Sequence, residues 1–259
     1  MNKLILLTFL AAFCGQVVAL TAEQQGLQIV TEVDRRDIGF GDSQSDLKMI
    51  LRNRSGHEST RVLTMKTLEI NGDGDKSLSV FSQPRDIKGT AFLSFTHALV
   101  PDEQWLYLPA LKRVKRISSS NKSGPYLGSE YAFEDLTSFE VTKYKYKYLT
   151  DEVVEGKDCF VVELYPQYAH SGYTRQVVWI EKERYIPLKT DYYDRKNALL
   201  KTLLNKGYKQ YLDQYWRADE MLMVNHQNGK STVLLWENYR FRNGFSSRDF
   251  DRNSLKRSR

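Results

Sequence analysis

The residues that could carry acid–base, metal or nucleophilic chemistry are scattered along this 259-residue chain. The four histidines, His57, His97, His170 and His226, are far apart, and no two have the i, i+4 spacing that places two imidazoles on one metal. The sequence contains neither the G-x-S-x-G pattern of a serine nucleophile nor a glycine-rich phosphate loop. We therefore predict a protein without catalytic residues, a metal site or a cofactor.

An acidic segment, NGDGD at 71–75, resembles the first half of a calcium-binding loop. However, Lys76 stands where that loop needs glycine, and Ser82 stands where it needs a bidentate glutamate. The segment therefore predicts a hairpin turn between two strands.

Glu134 and Asp135 are adjacent carboxylates, and neighbouring charges can split the pKa values of an acid and base pair. Consecutive helical residues point in different directions, so the pair is a weak catalytic signal. We expect a short helix capped by Ser129, in which the two carboxylates serve capping and solvation.

Residues 1–19 have the features of a secretory signal peptide. Lys3 supplies the charged start, residues 4–13 form the apolar core, and Val17 and Ala19 are the small residues before a cut after Ala19. An apolar run this short cannot cross a membrane core that needs about 20 residues. The sequence thus predicts a signal peptide at 1–19, a single domain at 20–259, and a periplasmic location.

The two cysteines have separate fates in this interpretation. Cys14 could be a lipidated residue, but Phe13 precedes it where lipoprotein signals carry a small residue, so we expect no lipid there. Cleavage leaves Cys159 alone, either buried or reactive, and its neighbours at 160–162 are apolar and favour burial.

The charge pattern argues against a nucleic-acid partner. The chain carries a formal net charge of +6, and its 38 basic and 32 acidic residues alternate in sign along most of its length. A basic surface that faces anionic lipid headgroups or an acidic protein is more plausible for an exported protein.

Two periodic patterns describe the elements that would position any site. Thr21 and Gln24 match a capping box, and apolar residues at helical spacing follow until Gly39, which predicts an amphipathic N-terminal helix packed on the domain's own sheet. From residue 46 onward, period-two segments separated by turn residues dominate, and Tyr144, Tyr146 and Tyr148 alternate with lysines. These segments predict an α+β, mainly β domain with a large antiparallel meander, each strand beside the next, that curls towards a half-barrel.

The aromatic content exceeds what one sheet face requires, with 16 Tyr, 12 Phe and four Trp. On a curved sheet such bulk either fills the concave side as core or lines a cavity for an apolar ligand, and the sequence leaves both alternatives open, as it does the choice of face. The candidates for the core or cavity wall are Phe92, Leu93, Phe95, Trp105, Leu106, Leu108, Val178 and Trp179.

The stretch at 104–136 joins an apolar strand, a basic strand, a polar glycine loop and the short acidic helix. Arg113, Lys115 and Arg116 could contact a headgroup or a membrane partner, or they could form a solvated edge that discourages aggregation. The loop at 118–128 should be mobile and lie near the mouth of the sheet, because its composition favours turns over ladders.

Four segments together resemble the LolA-like superfamily of outer-membrane lipoprotein-sorting proteins: FSQPRDIKGTAFL at 81–93, QWLYLPALKRVKRI at 104–117, GSEYAFEDL at 128–136 and DFDRNSLKR at 249–257. The resemblance implies a half-barrel whose concave side is covered by the N-terminal helix and short helices. It also implies a carrier that holds acyl chains within that sheet.

These observations lead to one expected function and two alternatives. We expect a monomeric, non-enzymatic carrier or chaperone that binds lipoprotein or lipid acyl chains for transfer towards the outer membrane. The first alternative, also implied by the resemblance, is an adaptor or sensor for a lipid-exporting inner-membrane pump of the RND/MMPL type, without carrier activity. The second is an enzyme of unknown type.

Overall fold

The computed structural model describes residues 19–257, and the predicted signal peptide therefore lies almost entirely outside the described residues. Helix α1 spans Ala22–Asp37, and a short helix α2 spans Ser254–Arg257. The strands are β1 Asp42–Arg52, β2 Glu58–Leu68, β3 Lys76–Gln83, β4 Ala91–Phe95, β5 Glu103–Leu108, β6 Arg113–Ile117, β7 Tyr144–Val154, β8 Lys157–Pro166, β9 Tyr173–Glu181, β10 Pro187–Asp194, β11 Leu199–Lys206, β12 Lys209–Tyr211, β13 Tyr215–Arg217, β14 Glu220–Asn225 and β15 Ser231–Phe241.

Thirteen of the strands form one antiparallel sheet in the order β6-β5-β4-β3-β2-β1-β15-β14-β11-β10-β9-β8-β7. The sheet is curved and open, as the sequence predicted. The prediction that each strand lies beside the next was incomplete, because two meanders are joined where β1 pairs with β15, at Leu47 opposite Trp236 among other pairs. The remaining two strands, β12 and β13, form a separate ribbon.

That ribbon was not predicted, because the period-two pattern at 199–211 is typical of one continuous strand. Gly207 interrupts this strand at φ +64°, a left-handed conformation that glycine adopts without steric cost. The chain then turns away from the sheet and pairs Lys209 with Arg217.

Helix α1 begins at the predicted capping box. The Thr21 hydroxyl accepts a hydrogen bond from the Gln24 amide at 3.2 Å, and the Gln24 side chain accepts one from the Thr21 amide at 2.9 Å. The helix packs mainly on β7, where a Cβ added to Gly26 would lie 2.8 Å from the backbone nitrogen of Tyr148. Glycine at this position therefore allows the helix to approach the backbone of the strand directly.

The inner, concave face of the sheet is covered by two different elements. Helix α1 covers β7 to β9, where Ile29 and Val30 pack on Val162, Leu164 and neighbouring apolar residues. The chain from 118 to 143, here called the strap, runs from edge strand β6 to the opposite edge strand β7 and crosses the inner face.

The strap fills the space that it covers. The Tyr126 ring centroid lies 5.2 Å from that of Phe92, and the Phe133 ring lies 5.5 Å from Phe92. The Tyr126 hydroxyl also hydrogen-bonds the Ser79 hydroxyl at 2.9 Å. The apolar side chains beneath these rings are fully buried and include Leu47, Met49, Leu63, Phe81, Phe92 and Leu106.

The outer face has its own apolar clusters. Phe250 and Leu255 from the C-terminal segment pack on Leu93 and Trp105. Cys159 lies in a second outer cluster and is fully buried, as its apolar neighbours predicted.

Candidate functional site

A cavity of about 530 Å³ lies between helix α1 and the inner face of the sheet. Its volume is within the range of about 300–1,000 Å³ that is usual for ligand pockets. Val30 and Val33 of α1 form its roof. The floor is apolar and comes from strands β8 to β11 and β14, with Leu164, Val178, Ile180, Tyr192, Leu203 and Met221.

The charged part of the lining is acidic. Six carboxylates from three separate segments line the cavity: Asp34, Asp37, Glu69, Asp73, Asp75 and Glu140. The lining formed by the described residues contains no Lys, Arg or His. The Asp37 and Asp73 side chains are 52% and 40% exposed, whereas the floor residue Ile180 is buried, so the carboxylates mark the mouth of the cavity.

Hydrogen bonds hold these three segments together at the mouth. The Glu69 carboxylate accepts from the amides of Gly39 and Gly41, both at 2.6 Å, which ties the β2–β3 loop to the end of α1. The Asp75 amide donates to the Ser138 hydroxyl at 3.0 Å, which ties the same loop to the strap.

Burial raises the pKa of four of these carboxylates, among them Asp37, for which the nearby Arg217 opposes the effect. Loss of hydration raises the pKa of Asp75 to about 7, and nearby Glu69 adds to the effect. Burial also raises the pKa of Asp34, with repulsion from Asp37 as the second cause, and it raises the pKa of Glu140.

Asn205 on β11 is one of the uncharged polar side chains of the lining. Its Nδ2 donates to the Pro187 carbonyl at 3.0 Å, while its buried Oδ1 has no hydrogen-bond partner within residues 19–257. Val33, Asp37, Pro187 and Met221 share with Asn205 the wall of a second, more open cavity.

The second cavity has a volume of about 710 Å³ and an aromatic, basic lining around the β12–β13 ribbon. Its arginines already have partners: Arg36 binds Glu32 at 2.7 Å, Arg184 binds Glu181, and Arg217 binds Asp37 at 2.5 Å. Of these ion pairs, Arg217–Asp37 joins the ribbon to the end of α1.

The predicted wall residues are divided among three places. Val178 lines the cavity. Phe92, Leu106 and Leu108 are on the same inner face but belong to the core under the strap. The remaining four, Leu93, Phe95, Trp105 and Trp179, belong to the outer clusters.

The predicted basic contacts lie away from the cavity. Arg113, Lys115 and Arg116 are exposed on edge strand β6, and Arg116 pairs with Glu103 at 3.1 Å. None of the three lines the cavity under α1. Whether they contact a headgroup or a partner stays a prediction.

The loop at 118–128 is not placed where the sequence suggested. Lys122 and Tyr126 are buried, and backbone hydrogen bonds join the Phe133 amide to the Gly124 carbonyl at 3.1 Å and the Tyr126 amide to the Tyr131 carbonyl at 2.7 Å. The glycines and serines make tight turns inside the strap, whose aromatic residues carry it into the core. None of its residues lines the cavity under α1, so the loop does not form the mouth of that cavity.

Glu134 and Asp135 also differ from the prediction of solvation, because both side chains are buried. Asp135 caps the short helix through the Ala132 amide at 2.7 Å, as predicted for one of the pair, although Ser129 does not cap it. Asp135 also pairs with Lys201 at 2.6 Å. The Asp135–Lys201 ion pair therefore fixes the strap to the sheet.

Sequence reasoning missed the residues that build the cavity mouth. Asp34 and Asp37 appeared only as part of a charged helix face, and Asp73 and Asp75 only as a turn. The available signal was their density, with four carboxylates flanking two apolar elements, but nothing local indicated that the two segments meet.

None of the helices in residues 19–257 combines the length and apolar character needed to cross a bilayer. A family model described as an uncharacterized protein matches residues 73–257. No curated protein matches the chain.

Solved structures resemble the chain over most of its length. A domain from Vibrio parahaemolyticus, described as an outer membrane lipoprotein-sorting protein domain, is 56% identical over 90% of this chain and 99% of its own, with a TM-score of 0.89. A DUF1329 family protein from Desulfovibrio piger is 30% identical over 91% of this chain and 100% of its own, with a TM-score of 0.86.

A LolA superfamily protein from Nitrosomonas europaea has the same fold, with a TM-score of 0.71 at 19% identity over 91% of this chain and 100% of its own. The fold and these similar structures agree with the resemblance that the four sequence segments indicated. The chain belongs to the family of outer membrane lipoprotein-sorting protein domains, and it has the LolA-like fold.

Proposed function

We propose that the protein is a periplasmic carrier or chaperone that buries lipoprotein or lipid acyl chains under helix α1 for transfer towards the outer membrane. The observation that carries this proposal is the apolar cavity of about 530 Å³ on the inner face of the sheet. Each buried methylene contributes about 0.8 kcal/mol, so a single chain provides useful affinity without any bond chemistry.

Helix α1 is the element that would release such a ligand. It contacts the sheet through a narrow apolar stripe that includes Ile29 and Val30, and it follows directly on the predicted signal peptide. A ligand that enters or leaves between α1 and the sheet would require only a displacement of the helix, with the strap core intact.

The test is to fill the cavity without disturbing the core. Val178→Trp places a large ring in the cavity and is expected to abolish binding of an apolar fluorescent probe, at a stability cost of about 1–3 kcal/mol. Val153→Trp, at an exposed position on β7, is the matched control and should bind the probe like the unmodified protein.

Native mass spectrometry after gentle extraction from membranes gives the complementary measurement. The carrier should arrive with an acyl-bearing molecule that organic extraction releases, and Val178→Trp should arrive empty. An unmodified protein that arrives empty and takes up neither fatty acid nor acylated peptide would contradict the carrier function.

The alternative is a periplasmic adaptor for a lipid-exporting inner-membrane pump of the RND/MMPL type. It is favoured by Leu99, which is 87% exposed beside the exposed Val100. Hydrogen bonds from His97 to Asp73 at 2.7 Å and from Thr142 to the Ala98 carbonyl at 2.9 Å hold this loop close to the cavity mouth. A stable protein complex that is lost in Leu99→Ser, with no lipid bound, would support the adaptor.

A further inference from the structure

The cavity under α1 contains a buried hydrogen-bond acceptor that lacks a donor within residues 19–257. The Oδ1 atom of Asn205, a residue only 7% exposed, has no partner in the described part of the chain, while its Nδ2 is held by the Pro187 carbonyl. Leaving a buried acceptor unsatisfied costs about 1–3 kcal/mol. A ligand that brings a donor to this atom would recover that free energy.

The carboxylates at the mouth fall into two groups. Asp37 pairs with Arg217, Asp73 binds His97, and Glu69 is satisfied by two backbone amides. Asp34, Asp75 and Glu140 form the second group, and within residues 19–257 none of the three has an ion pair. Glu140 accepts a hydrogen bond from the Ser138 hydroxyl at 3.2 Å, and Asp75 accepts one from the Ile70 amide at 3.4 Å. Lys143, which is close enough to influence Glu140, is itself bound to Asp102 at 2.5 Å.

The end of helix α1 increases the negative potential at this mouth. Asp34 and Asp37 lie in its last turn, where the unpaired carbonyls carry a partial negative charge. The two basic residues of that turn, Arg35 and Arg36, point back to Glu32 and bind it at 2.7 Å. The helix end therefore presents carboxylates, not cations, to the cavity.

From this arrangement we infer that the cavity selects amphiphiles whose apolar chain ends in a protonated amine. This inference rests on the proposed function and specifies its ligand class. An ammonium group has three donors and no acceptor, so it complements a lining made of carboxylates and the Asn205 oxygen. A carboxylate or phosphate head brings only acceptors and negative charge, and the same lining repels it.

The experiment uses the full mature protein and three ligands with the same chain: dodecylamine, dodecanol and dodecanoic acid. Each displaces an apolar fluorescent probe at neutral pH. We expect the amine to bind at least about tenfold more tightly than the alcohol, and the acid most weakly. Added salt should weaken the binding of the amine and leave the binding of the alcohol unchanged.

Two variants test whether the carboxylates at the cavity mouth cause the preference for the amine. Glu140→Gln and Asp34→Asn should each reduce the affinity for dodecylamine several-fold and leave that for dodecanol unchanged. Glu183→Gln, at an exposed carboxylate outside the cavity, is the matched control and should behave like the unmodified protein.

The outcomes separate the two proposals. Equal affinity for the three ligands, or a preference for the acid, would overturn the amine inference and leave the carrier function standing. Failure of every ligand to displace the probe would overturn the carrier function itself.

Two sources could supply an amine on an acyl chain, and a second set of ligands distinguishes them. An S-palmitoylated peptide with a free α-amino group is compared with its N-acetylated form and with lysophosphatidylethanolamine. If the free-amine peptide displaces the probe in a way that depends on Glu140, and its N-acetylated form does not, the source is the peptide amine. If lysophosphatidylethanolamine gives the displacement that depends on Glu140, the source is the lipid headgroup. Displacement by neither would contradict the inference.

Discussion

The inner face of this sheet is treated differently in its two halves. In the filled half, formed by β1 to β5, the strap inserts Tyr126 and Phe133 between the side chains of the sheet. In the open half, formed by β8 to β11 and β14, helix α1 spans the face and a cavity remains. The strap core also reaches strands of the open half through Tyr173, Tyr192, Leu203 and Met223, and two of these residues, Tyr192 and Leu203, line the cavity as well.

The difference lies in the covering element, because both halves present apolar residues inward. The strap is irregular, so it follows the curvature of the sheet and places aromatic rings where space exists. Helix α1 packs Ile29 and Val30 on residues of β7 to β9, and Val30 and Val33 also line the cavity that remains beside this contact. Curvature therefore yields a core or a cavity according to what covers it.

The largest expected effect is at the buried ion pair that joins the strap to strand β11 of the open half. Lys201 and Asp135 are 2.6 Å apart with side chains 4% and 5% exposed, and Lys201 also donates to the Glu130 carbonyl at 2.8 Å. Lys201→Met leaves a buried, unpaired carboxylate and is expected to lower the free energy of unfolding by about 3–5 kcal/mol in denaturant titration.

The control for this prediction is an exposed pair of equal length. Lys182 and Asp151 are also 2.6 Å apart but 33% and 50% exposed, so Lys182→Met should cost about 1 kcal/mol or less. The double variant Lys201→Met/Asp135→Asn should recover part of the loss. Equal effects of the two lysine substitutions would show that the strap is not locked in place.

A pair of identical substitutions compares the two halves directly. Leu63, in the filled half, and Leu164, in the cavity floor, are both buried. Leu63→Ala should cost about 2–5 kcal/mol of unfolding free energy, because it leaves a void among close-packed atoms. Leu164→Ala should cost less, since one side of this residue already faces empty space.

Ligand binding supplies the second measurement for this pair. Leu164→Ala enlarges the cavity and should alter the affinity for an apolar probe, whereas Leu63→Ala should leave that affinity unchanged in the folded protein. Equal costs together with equal affinities would remove the distinction between the halves.

The smallest expected effect is the pH dependence of the open half. Asp75 has a pKa of about 7 in the folded protein against 3.8 ordinarily, so between these values the folded state holds a proton that the unfolded state has released. Its contribution to stability therefore falls as pH rises through this window.

Asp75→Asn should remove this loss of stability at rising pH, because the asparagine side chain stays neutral. The variant should match the unmodified protein near pH 4 and exceed its stability by about 1–3 kcal/mol near pH 8, in thermal or denaturant unfolding. Asp213→Asn, at an exposed turn, is the control and should leave the pH profile unchanged. A less stable Asp75→Asn variant at high pH would show that the carboxylate is stabilised by its surroundings.

The sequence alone determined the local elements. The capping box at Thr21 and Gln24 starts α1, and the alternation of Tyr144, Tyr146 and Tyr148 with lysines marks β7, because helix and strand periodicities are properties of a continuous stretch of backbone. The number and spacing of such stretches also indicated a large, curved antiparallel sheet.

Only the tertiary structure decided which face of the sheet each side chain occupies and which distant segments come together over that face. Phe92 and Leu93 are neighbours with opposite fates, one in the strap core and one under the C-terminal segment, because side chains alternate across a strand and pairing with β5 fixes the face. The cavity mouth unites Asp34, Asp75 and Glu140 from segments far apart in sequence. Such a meeting depends on how the chain crosses the sheet, which no local pattern records.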